Sequence, residues 1–264
     1  MVITIKSRRE FAKMQRAGAT VFEVHVAVRE AAGPGVSLST LDDIAAKVIE
    51  GNNCTSSFLG YQGYPANICL SPNDVIVHGI PSDYALREGD ILSVDAGAVF
   101  EGFHGDAAFT MAIGQVTPEV QHLIDVTEEA MWAGVREVRK GARLESIGAA
   151  VHEVGTANGY GVVEEYVGHG IGREMHEEPQ VPNYGKRGKG MRLRTGIALC
   201  IEPMFNMGAR HTRVDPDNWT VRTEDGSLSA HWEHTVCVTP DGTQVFTAGS
   251  EPLAVQFEES SALG

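Results

Sequence analysis

The chain has 264 residues, 42% of them hydrophobic, with 21 Lys or Arg against 35 Asp or Glu and a formal net charge of −14. Such a chain can bury one large core or two closely joined halves, and its negative balance disfavours a surface that must neutralise nucleic-acid phosphates. No apolar run approaches the roughly 18 residues of a membrane span, and the N-terminal MVITIKSRREF lacks the apolar stretch of a secretory signal, so a cytoplasmic protein without membrane contact is expected.

The first predicted helix opens with the capping-box pattern Ser7, Arg8, Arg9, Glu10 and carries Phe11, Met14, Val21 and Val28 to the break at Gly33, Pro34, Gly35. A second follows, with Thr40 and Asp43 as candidate caps, apolar Leu41, Ile44, Ala45, Val48 and Ile49 at helical spacing, and Gly51 at its end. From there to about residue 114, short apolar runs such as DVIVHG, DILSVDAGAVF and AAFTMAIG alternate with Gly, Pro, Asn and Asp, which predicts strands. Thr117, Pro118 and Glu119 start a third helix that Gly141 is expected to close, and a shorter one with Leu144, Ile147 and Val151 comes next. Strands return in GVVEEYVGHG, GIALCIEPMF and EHTVCVTPDGTQVFT, the last predicting a hairpin around Asp241 and Gly242. Helix, helix, strands thus occurs twice, which reads as a duplication into halves of about 1–115 and 116–250 within one domain spanning 1–264. Sites in such folds tend to lie where the halves meet. Residues 251–264 show no periodicity and are expected to form a flexible tail.

The four cysteines, Cys54, Cys69, Cys200 and Cys237, form no C-x-x-C pair and read as reduced thiols. Four carboxylates interrupt apolar strand runs: Asp95, Asp106, Glu202 and Glu233. Any one alone could be a strand-end residue satisfied by backbone N–H groups or an arginine. As a set they are harder to dismiss, because no Arg or Lys lies within five positions of Asp106, Glu202 or Glu233. Converging carboxylates raise one another's pKa unless cations sit between them. Two divalent ions would balance four carboxylates and one neutral imidazole, and such a cluster can deprotonate water near neutral pH for attack on a carbonyl. Oxygen-rich sites with one His suit Mn, Fe(II), Co or Zn.

The stretch YVGHGIGREMHEEP (166–179) places His169 and His176 seven residues apart, a spacing that would stack them on a helix. Glycines at 168, 170 and 172 argue against one, each costing roughly 1 kcal/mol of helix relative to alanine. The two imidazoles are therefore expected to arrive from different directions.

Five segments, NDVIVHGIP (73–81), VDAGAVFEGFHGDAA (94–108), GHGIGREMHEEPQVPNY (168–184), IEPMF (201–205) and WEHTV (232–236), closely resemble in content and order the motifs of type I methionine aminopeptidases, the bacterial form. The resemblance covers nearly the whole chain. It implies the α+β pita-bread fold of the creatinase/aminopeptidase kind, two pseudo-twofold-related halves with antiparallel sheet and helices packed outside. It further implies removal of the initiator methionine from nascent proteins when the second residue is small, through a hydroxide bridging two divalent cations (Co, Mn, Fe(II) or Zn). By the same resemblance Asp95, Asp106, His169, Glu202 and Glu233 are the metal ligands, Asp106 and Glu233 bridging, Asp95 on one ion, His169 and Glu202 on the other. His78 and His176 correspond to the family's catalytic histidines. Physically, His78 could bond the scissile amide and His176 the substrate carbonyl as its oxygen takes up charge, with Glu202 carrying a proton for the attacking water. The methionine pocket falls on Tyr61, Tyr64, Cys69, Met175 and Trp219, since a thioether is well received by aromatics and sulfur.

Two positions depart from the family: Gly97 where many type I enzymes have threonine, and Met175 where an aromatic is frequent. Of the other histidines, His104 could share a strand face with Asp106, His234 should face away from Glu233, and His25, His122 and His152 fall on helices as surface or structural residues. The competing readings are an Xaa-Pro peptidase of the prolidase kind and a non-catalytic binding protein on the same scaffold. The first usually carries an extra N-terminal domain, and the second would have lost ligands, whereas all five are present. The expected partner is the N-terminal methionine of nascent chains, acted on by a monomer; contact with ribosomes is left open, no basic extension being visible for it.

Overall fold

The structure is a computed structural model that describes residues 3–257. Helix α1 (Arg8–Ala31) opens on the expected capping box, the Glu10 N–H donating to the Ser7 hydroxyl and the Ser7 N–H to the Glu10 carboxylate. Helix α2 (Leu38–Gly51) starts earlier than expected. Its cap is Ser37, whose hydroxyl accepts the Thr40 N–H at 3.2 Å, and not Thr40 or Asp43. The reason is burial: Leu38 extends the stripe Leu41, Ala45, Ile49 by one turn, and an oxygen at the cap is worth about 1 kcal/mol.

Strands β1 (Thr55–Ser56), β2 (Cys69–Pro72), β3 (Val75–Val77), β4 (Ile91–Phe100) and β5 (Phe103–Ala112) follow. β4 and β5 form a ten-residue ladder closed by Glu101 and Gly102, both at positive φ as a two-residue hairpin requires. Helix α3 (Pro118–Arg136) has Pro118 in its first turn and ends before Gly141, whose surroundings are turns; α4 (Glu145–Ala157) comes next. The second half supplies β6 (Gly161–Val162), β7 (Gly168–Gly170), β8 (Glu177–Val181), β9 (Ala198–Ile201), β10 (Met204–Asn206) and β11 (Thr212–Val214). After these come β12 (Val221–Thr223), β13 (Ser229–His231), β14 (Glu233–Thr239), β15 (Gly242–Val245) and β16 (Leu253–Ala254).

The main antiparallel sheet runs β1-β4-β5-β14-β9-β7-β8, with β2 also on β4, β15 on β14 and β16 on β15. Two three-stranded sheets, β13-β10-β6 and β11-β12-β3, complete the strands. The class is α+β. One apolar core joins α1 and α2 to β2, β4 and β5; another joins α3 and α4 to β9 and β14, and Trp232 packs against both. β5 and β14 meet at the centre, so the residues where they pair stand between the two helix-backed cores.

The segment expected as a tail from residue 251 begins with a short strand. Leu253 and Ala254 pair with Val245 and Gln244, and the Val255 N–H donates to the Thr243 carbonyl at 2.9 Å. The exposed edge of β15 offers the backbone partners that the sequence pattern did not reveal. Residues 258–264 of that expected tail lie outside the described residues.

Candidate metal centre and active site

Strand register brings the sequence-predicted carboxylates to one face. Asp95 on β4 and Glu233 on β14 both pair with Ala108 of β5, and Asp106 lies two residues along β5 from Ala108. Side chains two apart share a face, and diagonal cross-strand neighbours are within reach. On the far side of β14, Thr235 pairs with Cys200 of β9, so Glu202, just past that strand, falls on the same face. β7 then adds His169, whose Nε2 lies 3.5 Å from a Glu202 oxygen. Ligand atoms of Asp106, His169, Cys200 and Glu233 all lie within 4.8 Å of one another. Asp95 and Glu202 border the same cavity and keep some exposure to it.

This arrangement is costly for protein atoms alone. One oxygen each of Asp95, Asp106 and Glu233 is buried without a hydrogen-bond partner, and among the described residues no Lys or Arg forms an ion pair with any of the four carboxyls. Burial first, then the neighbouring carboxylates, push Asp106, Glu202 and Glu233 well above the usual range, and burial raises Asp95 to about 7. Burial and the nearby His176 hold His169 down to about 3, so its imidazole is neutral. Its Nδ1 is bonded to the Gly170 carbonyl at 2.9 Å, which leaves Nε2 aimed at the carboxyl group. Orphaned acceptors around a neutral imidazole fit a divalent cation and fit little else.

Asp95, Asp106, His169, Glu202 and Glu233 line a cavity of about 560 Å³. His78 and His176 line its walls, together with Tyr61, Tyr64, Cys69, Met175 and Trp219. Tyr64 packs edge-on to Trp219, and with Phe58, Ala66, Cys69 and Met175 it forms an apolar patch. His78 adopts φ +59, a conformation that strains a non-glycine residue by about 1–3 kcal/mol and is kept where the surroundings impose it. Its ring sits edge-on to Tyr166 and Trp219. Burial lowers its pKa to about 4.

His169 and His176 do meet, with ring centroids 4.3 Å apart, yet from different backbones as expected: His169 stands on β7, His176 in the loop before β8. The His176 Nδ1 lies 2.8 Å from the Tyr61 hydroxyl. His104 shares the strand face of Asp106 but is bonded to Ser57 at 2.9 Å, and His234 turns away to Thr247 and Trp132. Sequence reasoning missed Cys200, which looked like an ordinary strand residue, and the cavity residues Phe58, Gln62 and Tyr166, whose apolar or turn contexts give no separate signal.

A buried set of carboxyls with one imidazole, opening on an apolar pocket with two further histidines, defines a metal-dependent hydrolase. The chain matches metallopeptidase family M24 over residues 12–240. It is 46% identical over 247 residues to a methionine aminopeptidase of Clostridium acetobutylicum, covering 93% of this chain and 99% of the relative. It is 46% identical to methionine aminopeptidase 1 of Mycobacterium tuberculosis over 256 residues, 94% of this chain and 96% of the relative. The crystal structure of methionine aminopeptidase from Thermotoga maritima superposes with a TM-score of 0.91 at 38% identity, covering 93% of this chain and 99% of that one. A prolidase from Pyrococcus furiosus shares the fold, at a TM-score of 0.73 and 19% identity over 92% of this chain and 65% of its own. The chain belongs to metallopeptidase family M24 and, within it, to the methionine aminopeptidases, with their pita-bread fold. Among the described residues no helix is long and apolar enough to cross a membrane, and all four cysteines are buried and free.

Proposed function

We propose that the chain removes the initiator methionine from nascent proteins whose second residue is small, with two divalent cations held by Asp95, Asp106, His169, Glu202 and Glu233. The observation that carries this reading is the row of orphaned carboxyl oxygens along one sheet face beside a neutral imidazole. Asp95, Asp106, Glu202 and Glu233 would offer the carboxylate oxygens and His169 its Nε2. Bound there, the cations would supply Lewis acidity that polarises the substrate carbonyl and acidifies water.

The remaining residues orient substrate and move protons. The methionine side chain fits among Tyr64, Cys69, Met175 and Trp219, with Tyr61 beside the mouth. Aromatic faces and sulfur receive a thioether well. If the Tyr61 hydroxyl donates to the His176 Nδ1, the ring proton stands on Nε2, a donor for the carbonyl oxygen as it takes up charge. His78, held neutral by burial, is placed to bond the scissile amide. Glu202 passes the proton of the attacking water toward the leaving amine.

The substrate is the N-terminus of nascent chains, and the reading places the protein in the cytoplasm as a monomer. The test is purified protein with Mn, Co, Fe(II) or Zn against Met-Ala-Ser and an Ala-Pro peptide. Release of methionine from the first alone is expected. Cleavage of only the second would make the chain an Xaa-Pro peptidase, and silence with every metal would make it a binding protein.

A further inference from the structure

Lys6 and Glu177 are 171 residues apart, yet they form an ion pair at 2.7 Å with side chains only 4% and 7% exposed. No other ion pair among the described residues is so enclosed on both sides. A buried pair costs desolvation of both charges and persists only where hydrogen bonds satisfy them. Here they do. One Glu177 oxygen accepts the Lys6 ammonium and the Thr4 hydroxyl; the other accepts the backbone N–H groups of Arg173 and Glu174 at 2.8 and 3.3 Å.

That second pair of bonds matters for the active site. Glu177 folds back on residues 173 and 174 and so closes the loop that presents Met175 to the pocket wall and His176 to its mouth. The loop is also pinned outside: the Arg173 guanidinium bonds Glu10 at 3.0 Å and lies 4.5 Å from the Phe103 ring. Lys6 is itself anchored, its N–H donating to the Gly196 carbonyl at 2.8 Å. A Cβ on Gly172 would collide with the Lys6 side chain, so the lysine runs directly beneath the loop. Burial works to raise the Glu177 pKa, but the Lys6 and Thr4 bonds outweigh it and hold the carboxylate ionised.

We propose that the segment Thr4–Lys6 is a clamp on the His176 loop, with Lys6 and Glu177 as positioning residues for the reaction. Glu177 borders the cavity, but its carboxylate is turned to Lys6, Thr4 and the loop backbone, so the pair acts through His176. The proposal rests on the role given above to His176, and that role has its own control in His176→Ala.

The test is a double-mutant cycle read in kcat, KM and metal content. Lys6→Met leaves a buried carboxylate without its cation and is expected to lower kcat about tenfold or more while metal content is kept, since a small displacement of a catalytic group is enough for that. Lys6→Arg should restore most of the rate. On a His176→Ala background, Lys6→Met should cost less than about twofold, because residues acting as a unit are not additive. An equal loss in both backgrounds overturns the clamp; an unchanged kcat for His176→Ala alone overturns the role of His176 instead. If Lys6→Met does not fold, Glu177→Gln, which keeps the oxygen that bonds Arg173 and Glu174, reads the same cycle. Additivity there refutes the proposal, and non-additivity supports it.

Discussion

Asp95 and Glu233 are both register partners of Ala108, one on β4 and one on β14, so two buried carboxyls flank a single small residue on one sheet face. With Asp106 two residues away, the metal-free chain must either bury like charges or keep protons. Burial pushes their folded pKa values up, to about 7 for Asp95, whereas in the unfolded chain they lie near about 4. Folding therefore takes up protons, and stability of the metal-free chain is greatest below the unfolded values and declines as pH rises through the folded ones. Divalent cations remove that penalty. Calorimetry of metal-free and metal-loaded protein should show a Tm gap that widens from about pH 5 to about pH 8. A gap that stays constant or narrows would mean that the four carboxyls do not share cations.

The two neighbouring histidines should separate cleanly by experiment, although their rings almost touch. His169 is buried with Nε2 facing Glu202, so His169→Ala should lower metal content measured after dialysis. His176 stands at the mouth with its Nδ1 engaged by Tyr61. His176→Ala should keep its metal and lose about 10²–10³ in kcat, the usual cost of a donor to a developing oxyanion. Equal metal loss in both variants would contradict the assignment.

What the sequence made legible follows the distance over which each feature acts. Asp95 and Asp106 stand out locally as charges inside apolar runs, and the two-residue turn of their hairpin sets the register that puts them on a common face. The caps at Ser7 and Thr117 were local signals as well. His169, Glu202 and Glu233 come from separate strands, and only the conjunction of charged residues in apolar runs, with the family motifs, tied them together. Cys200 and the Lys6–Glu177 pair carried no local signal. A thiol in an apolar strand looks like core, and an ion pair spanning 171 residues leaves no periodicity to find. The α2 cap was misplaced because two hydroxyls three residues apart, Ser37 and Thr40, compete for the role, and burial of Leu38 decides between them.

The space beside Gly97 is filled from elsewhere in the chain. A Cβ there would lie 2.7 Å from the Ser57 Cβ and 3.0 Å from the Phe58 ring. The Ser57 side chain thus occupies the space and engages His104. Gly97→Thr should cost about 1–3 kcal/mol in denaturant unfolding, as overpacking does. Ser57→Gly in the same chain should return part of that loss, a coupling expected only of residues in contact. Additive effects would show that Gly97 is not held by Ser57.

Met175 lies on the loop that carries His176, yet its side chain belongs to the pocket wall. Its side chain is buried among Phe58, Tyr64, Ala66 and Cys69, while the next residue, His176, reaches the mouth. On the proposed binding mode, Met175→Ala would remove apolar contact with the substrate side chain and leave the Tyr61–His176 bond in place. Lost binding that is the same in ground and transition states raises KM and leaves kcat unchanged. The expected result on Met-Ala-Ser is therefore a KM higher by about tenfold, in the range of a few lost methylene contacts, with kcat within about threefold of the parent. Peptides beginning with a bulkier apolar residue should gain relative to methionine as the wall recedes. A fall in kcat with KM unchanged would instead place Met175 among the groups that set His176, and would remove it from the pocket.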